Sequence, residues 1–362
     1  MKIDEVRVGA WTVPTDLPES DGTLEWDSTT IIIVECRSGD TTGIGYSYTH
    51  AAAAHLIDDR LADIIEGRDP LDVRGCWAAL VRSVRNYGGP GLASNAISAI
   101  DVALWDLKAK LLDLPLVKLL GGVRESVPVY GSGGFTSYDD GELCEQLTRW
   151  VESGIRMVKM KVGREPDRDG HRVATARDAI GPDAELFVDA NGAYTRKEAL
   201  AFAEEFEDSG VIWFEEPVSS NDLEGLRLLR DRAPVGMDIT AGEYGYHLSY
   251  FRDMLLAGAV DVMQPDATRC AGITGFLAAA DLCRAFEIPV SAHTAPAIHA
   301  HLGCATINLQ HIEYFHDHVR LEEMFFDGVV SPVDGEIWPD LSRPGLGIDF
   351  KRKDAAPYEV EP

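Results

Sequence analysis

Long apolar runs are missing from this 362-residue sequence: nothing in it approaches the roughly 20 apolar residues that a membrane helix needs. Its first residues, Met1–Trp11, lack the charged start and apolar stretch of a secretory signal, so a cytoplasmic protein without membrane contact is expected. Cysteine is sparse. The six present (Cys36, Cys76, Cys144, Cys270, Cys283 and Cys304) are scattered without a CxxC pair, which excludes a disulfide framework and a cysteine-held zinc site. Positive charge is short as well, with a formal net charge of −27, and nucleic acid and anionic membranes are therefore excluded as partners. Only nine of the 33 basic residues are lysine, which makes the position of each lysine informative. No GxGxxG follows a strand-like run, so a dinucleotide fold has no support. The glycine clusters Gly88–Gly91 and Gly131–Gly134 lack the lysine of a phosphate-binding loop and read as loop punctuation.

What is present is a large apolar content, 45% of residues, enough for a sizeable core. Residues 1 to about 65 alternate short strand-like runs with turns, as in Thr29–Cys36 followed by Arg37–Asp40, and imply a small antiparallel sheet. A polar, proline-bearing segment, Thr15–Asp27, reads as a loop interrupting that sheet. From Ala93 to Asp113, Ile97, Ile100, Leu104, Leu107 and Leu111 recur at helical spacing. These features predict an α+β domain over residues 1–125. From Val127 the pattern becomes regular: a short apolar run, polar residues, an amphipathic helix, then a glycine or proline stop. Repeated βα units of this kind imply a parallel sheet, assigned to residues 126–335, with 336–362 returning to the first domain.

The titratable residues fall at one level of that repeat. Lys159 and Lys161 end one apolar run, and Asp189, Glu215, Glu243, Asp266, His293 and Glu313 follow, with steps from Lys161 of 28, 26, 28, 23, 27 and 20 residues. A barrel βα unit takes about 25–30 residues, so each lies at the C-terminal end of a successive strand, where a closed barrel gathers its active site. An open sheet would string the same groups along an edge, too far apart to converge. Taken singly, an acid after a strand is an ordinary turn or cap residue; a whole ring of them is costly unless a metal or substrate compensates.

Residue type narrows the chemistry. Asp189, Glu215 and Glu243 are hard oxygen donors from adjacent strands and suit Mg²⁺. Glu215 rather than Glu216 is the expected ligand, because alternation from Trp213 turns it inward. Lys159 and Lys161 share one strand face, and two ammonium groups side by side near a divalent cation poise one of them as a base. Asp266 one strand before His293 suits a dyad in which the carboxylate orients the imidazole. Glu313, if protonated, would donate a hydrogen bond to developing negative charge. His316 and His318 read as exposed loop histidines.

The motifs K-x-K at 159–161, D-x-N at Asp189 and Asn191, EEP at Glu215–Pro217, Gly242–Glu243, PDATRCAGITG from Pro265 and SAH ending at His293 together resemble the mandelate racemase subgroup of the enolase superfamily. The resemblance runs over nearly the whole chain. It implies an α/β fold, a TIM-like barrel of seven or eight units with an α+β capping domain, and one Mg²⁺ per subunit on Asp189, Glu215 and Glu243. It further implies that Lys161 and the His293–Asp266 pair act as bases on opposite faces of a carboxylate substrate. Lys159 would contact the substrate carboxylate and Glu313 the enediolate, with Asn191 and Trp26 touching substrate; the Thr15–Asp27 segment would be the lid. Asp266 stands where the muconate cycloisomerase branch would carry a lysine, which disfavours that branch. Dehydration of an acid sugar to a 2-keto-3-deoxy acid is the favoured reaction. Racemisation or epimerisation, a cycloisomerase, and a catalytically inactive barrel with a binding role are its rivals. A homo-oligomer is expected.

Overall fold

The computed structural model describes residues 1–361. Three antiparallel strands open the chain: β1 (Glu5–Ser20), β2 (Glu25–Ser38) and β3 (Thr41–Tyr48). The helix Leu92–Leu111 packs across them through its predicted face, with Ile97, Ile100, Leu104 and Leu107 buried. Its approach is close. A Cβ on Gly43 or Gly45 of β3 would collide with the carbonyl oxygens of Ala103 or Ala99, so glycine is what lets helix and sheet touch. The short strand Glu359–Val360 near the chain's end pairs with β1 at Trp11 and Ala10.

Eight parallel strands form the closed barrel: β4 (Val127–Gly133), β5 (Met157–Lys161), β6 (Glu185–Asp189), β7 (Val211–Glu215), β8 (Asp238–Ala241), β9 (Val262–Met263), β10 (Val290–Ala292) and β11 (Leu309–Phe315). Closure comes from β11 beside β4, with Ile312 opposite Val129 and Phe315 opposite Ser132. Strand alternation then decides the interior. Tyr130, Phe187, Trp213 and Val262 form an inward apolar cluster. His311 of β11 packs on the three aromatic rings, and two residues beyond Phe187, Trp213 and His311 the same face carries Asp189, Glu215 and Glu313. An aromatic floor therefore lies beneath a charged ring.

The structure corrects two sequence expectations. Gly131–Gly133 is not a loop but the end of β4, and the space beside Gly131 and Gly133 is filled by Trp150 and Gln146 of the following helix. The polar segment Thr15–Asp27 is not a loop either. β1 continues to Ser20 through a register shift between Pro14 and Glu19, β2 begins at Glu25, and only the turn between them is irregular. Proline is tolerated because it stands at the bulge, where the ladder is interrupted. This hairpin tip docks on the barrel: Thr136 N–H donates to Ser20 O at 2.8 Å and Thr136 Oγ1 to Asp21 O at 2.8 Å.

The first sheet and the barrel also meet at Glu322, fully buried in the helix His316–Phe325. It accepts from Tyr46 Oη of β3 at 2.5 Å and from Ala297 N–H at 3.1 Å. Burial pushes this carboxyl up to about 8 from an ordinary 4.5, despite both donors. The fold thus keeps a proton that the unfolded chain releases, and stability falls as the pH rises from about 4.5 through 8. Glu322→Gln, neutral throughout, should gain on the parent with rising pH, by on the order of a few kcal/mol at pH 9. Parallel melting temperatures for the two proteins from pH 5 to 9 would refute this. Among the described residues no helix is long and apolar enough to cross a membrane.

Candidate active site

All the singled-out residues of the barrel meet at its C-terminal mouth. Lys161, Asn191, Glu243, His293 and Glu313 border a cavity of about 540 Å³, with Trp26 of the hairpin on its far side. Lys159, Asp189, Glu215 and Asp266 are buried around them. One oxygen from each of Asp189, Glu215 and Glu243 lies within 4.8 Å of the other two. Glu215 is the inward residue of its pair, since Trp213 Nε1 donates to its Oε2 at 3.1 Å. Its Oε1 is buried without a partner among the described residues.

The electrostatics say why these groups tolerate burial together. Lys161 Nζ contacts Asp189 Oδ2 at 2.5 Å. Lys159 Nζ contacts Glu215 at 2.7 Å, Glu313 at 2.8 Å and Asp189 at 3.4 Å. Burial and the neighbouring Lys159 oppose the charge on Lys161, but Asp189, Glu215 and Glu243 together outweigh them, so its ammonium is held above the ordinary lysine range by the same acids that would hold a metal. Burial likewise pushes Glu313 up, but Lys159 and His293 pull it well below the usual carboxylate range. Glu313 Oε1 also accepts a hydrogen bond from Ser132 Oγ at 2.6 Å.

At the opposite wall His293 Nδ1 bonds Asp266 Oδ2 at 2.8 Å. Asp266 is itself fixed through Oδ1 by Thr268 N–H at 2.6 Å and Thr268 Oγ1 at 2.8 Å. Burial lowers the imidazole, but Glu243, Glu313 and Asp266 together raise it above the ordinary histidine value. With Nδ1 committed to the carboxylate, Nε2 is the atom turned away from the dyad, 3.4 Å from Glu243 and 3.6 Å from Glu313.

One residue escaped the sequence reading, and another is named there only to be set aside as a ligand. Arg269 pairs with Glu243 Oε1 at 3.1 Å and Asp266 Oδ2 at 3.6 Å, joining the carboxylate triad to the dyad. The signal was its place three residues after Asp266. Glu216 is buried with a left-handed backbone, φ 37°, and its Oε1 has no partner among the described residues. Counted together, Asp189, Glu215, Glu216, Glu243, Asp266 and Glu313 oppose only Lys159, Lys161 and Arg269. Burial and the adjacent Asp189 push Glu215 up to about 8. A hard divalent cation fits this donor set on three grounds: the oxygens converge, one is unpartnered, and the acids are in excess.

The histidines of the eighth unit also differ from expectation. His316 and His318 start a helix, and His318 is buried, stacked on Tyr48 of β3 at 3.4 Å. Trp26 packs edge-on against Phe135 at 5.7 Å, and its Nε1 is used by Glu19 at 2.7 Å, so it offers the cavity a ring face, not a donor. Removing that face in Trp26→Ala should raise KM at least roughly tenfold while kcat stays within about threefold, because it touches the lid and no reacting group. Steady-state kinetics over several substrates check this; unchanged KM for all of them would show the hairpin to be mere surface.

With the geometry in hand, comparison with known proteins is informative. Residues 142–355 match the family model "Enolase C-terminal domain-like", and residues 5–121 match "Mandelate racemase / muconate lactonizing enzyme, N-terminal domain". The chain is 33% identical to L-talarate/galactarate dehydratase of Salmonella typhimurium LT2 over 97% of this chain and 90% of that protein. A solved structure of that enzyme, liganded with Mg and L-lyxarohydroxamate, superposes with a TM-score of 0.89 at 31% identity, covering 99% of this chain and 93% of that one. The chain is 31% identical to 3,6-anhydro-alpha-L-galactonate cycloisomerase of Streptomyces coelicolor over 97% of this chain and 98% of that protein. A solved mandelate racemase/muconate lactonizing enzyme-like protein from Rubrobacter xylanophilus is 52% identical, with a TM-score of 0.97 over 99% of this chain and 100% of that one.

Proposed function

Because the chain belongs to the mandelate racemase / muconate lactonizing enzyme family of the enolase superfamily, we propose that its barrel mouth performs the Mg²⁺-dependent removal of the α-proton of an acid sugar, followed by loss of water to give a 2-keto-3-deoxy acid. The observation that carries this reading is that two proton-transfer groups, Lys161 and His293, reach one cavity from β5 and from the end of β10, on either side of a convergent carboxylate triad. Asp189, Glu215 and Glu243 would hold the metal. When bound, Mg²⁺ supplies Lewis-acid stabilisation of negative charge on the substrate carboxylate.

The chain's own groups divide the remaining work. With the charge of Asp189 taken up by the cation that the triad would hold, Lys161 would give its extra proton to solvent and, as the neutral amine, take the α-proton, leaving the electron pair in an enediolate. Lys159, held by Glu215 and Glu313 on the cavity floor, supplies positive charge toward the carboxylate end. His293 Nε2 delivers a proton to the departing β-hydroxyl, Asp266 stabilising the imidazole through Nδ1. The enol so formed ketonises. Asn191 and Trp26 border the substrate, and Arg269 fixes Glu243 and Asp266 in mutual register.

A second ending has its own support in the cycloisomerase relative. The same α-proton transfer then ends in opening or closing a ring. The deciding experiment incubates the Mg²⁺-loaded protein with a panel of acid sugars and their lactones in heavy water. Keto acid with water loss supports dehydration; an isomer of unchanged mass supports cycloisomerisation or epimerisation. Neither product and no α-deuterium across the panel would refute the assignment.

A further inference from the structure

The cavity has two chemically different ends. The inner end is the barrel's charged ring. The outer end is built by the capping sheet and its hairpin, with Asp21, Thr29, Thr49 and His50 along it. Resting on the reaction proposed above, we infer that the substrate is a monocarboxylic acid with an uncharged polyol at its far end, that dicarboxylic acid sugars are rejected, and that Asp21 makes the distinction.

A second carboxylate at the outer end would need a cation, and each positive group bordering the cavity is already committed. Lys161 contacts Asp189 at 2.5 Å, and Arg269 contacts Glu243 at 3.1 Å and Asp266 at 3.6 Å. The imidazoles do not replace them. His293 is bound to Asp266, and His318 is held well below its ordinary value by burial while stacked on Tyr48. His50 spends Nδ1 on the Ala52 N–H, 3.1 Å away, which leaves Nε2 as its one free nitrogen.

Asp21 supplies the opposite charge. It is 7% exposed, and its Oδ1 is fixed by Thr23 N–H at 2.6 Å, Leu24 N–H at 2.7 Å and Thr23 Oγ1 at 3.1 Å. Its Oδ2 has no hydrogen-bond partner among the described residues, and the residue borders the cavity. A rigid carboxylate oxygen of this kind accepts from a substrate hydroxyl and repels a substrate carboxylate. The neighbouring hydroxyls complete a polyol subsite: Thr49 Oγ1 accepts from Asn95 Nδ2 at 2.9 Å, leaving its own proton to donate.

The test uses pairs of an aldonate and the aldarate of the same configuration, with the Mg²⁺-loaded protein. The aldonate should be preferred in kcat/KM by at least roughly 100-fold. Asp21→Asn keeps the Oδ1 acceptor that forms the turn, so the hairpin is retained, and it should shrink that preference at least roughly tenfold by improving the aldarate. Aldarates used as well as their aldonates, or a ratio unmoved by Asp21→Asn, would overturn the inference while leaving the reaction standing. Should no pair react or exchange its α-proton, the reaction assignment falls and calorimetric binding of the same pairs decides: tighter binding of the aldonate sustains the inference, whereas aldarate bound equally or more tightly, or neither bound, overturns it.

Discussion

Glu215→Gln is expected to lower kcat by at least roughly 1,000-fold and to weaken Mg²⁺ binding to a similar degree, with the fold retained. Glu215 is the middle strand's contribution to the triad, between Asp189 on β6 and Glu243 after β8. An amide has the same shape but only one oxygen, and that a neutral one; Lys159 and Trp213 Nε1, both donors at the Oε2 position, claim it, which leaves an N–H₂ group where the unpartnered Oε1 stood. Stability should be unharmed, because burial and Asp189 already push Glu215 up to about 8, and a neutral side chain relieves that crowding. The barrel's packed interior lies below, in Tyr130, Phe187, Trp213 and Val262. Calorimetric titration with Mg²⁺ and thermal melting read the two halves independently of turnover. Full activity in metal-stripped parent protein, or unaltered Mg²⁺ affinity in the variant, would remove Glu215 from the metal site.

Much of this site was legible because strand alternation and repeat length are local properties of a sequence. The spacing from Lys161 to Glu313 places one group on each successive strand, and alternation from Trp213 turns Glu215 inward, where the Trp213 Nε1 contact holds it. What escaped depends on contacts between distant segments. His318 is buried between Phe315 and Tyr48, the latter 270 residues earlier and stacked on its ring. Glu313 is held by Lys159 of another strand, 2.8 Å away, a pairing that no motif encodes. The Thr15–Asp27 segment has the polarity and proline of a loop, yet its partner strand and the barrel loop at Thr136 hold it as a hairpin. Gly131 and Gly133 read as a turn because glycine is ambiguous. Here the reason for glycine is room for Trp150 and Gln146.

The opposed bases give the second large effect. Lys161 lies on the second barrel strand and His293 after the seventh, and both border the same cavity, so each should reach only one face of a bound α-carbon. In heavy water, Lys161→Ala should lose α-proton exchange with one epimer by at least roughly 1,000-fold while His293 still exchanges the other. His293→Asn should show the reverse preference. It should also stop dehydration of the epimer that Lys161 deprotonates, because the proton for the leaving hydroxyl is gone; exchange without elimination is its signature. Asp266→Asn sharpens the assignment. Thr268 N–H and Oγ1 fix Oδ1 as an acceptor, so the new amide nitrogen must face His293 Nδ1. An N–H at that position forces the imidazole proton onto Nε2, the atom that has to receive the α-proton. Loss of exchange on the histidine face alone, roughly 10- to 100-fold, is expected, and the lysine face should be spared. Rates of deuterium incorporation by NMR measure each face separately. If both Lys161→Ala and His293→Asn kept exchange with both epimers, the two groups would not be opposed bases, whatever the product of the overall reaction.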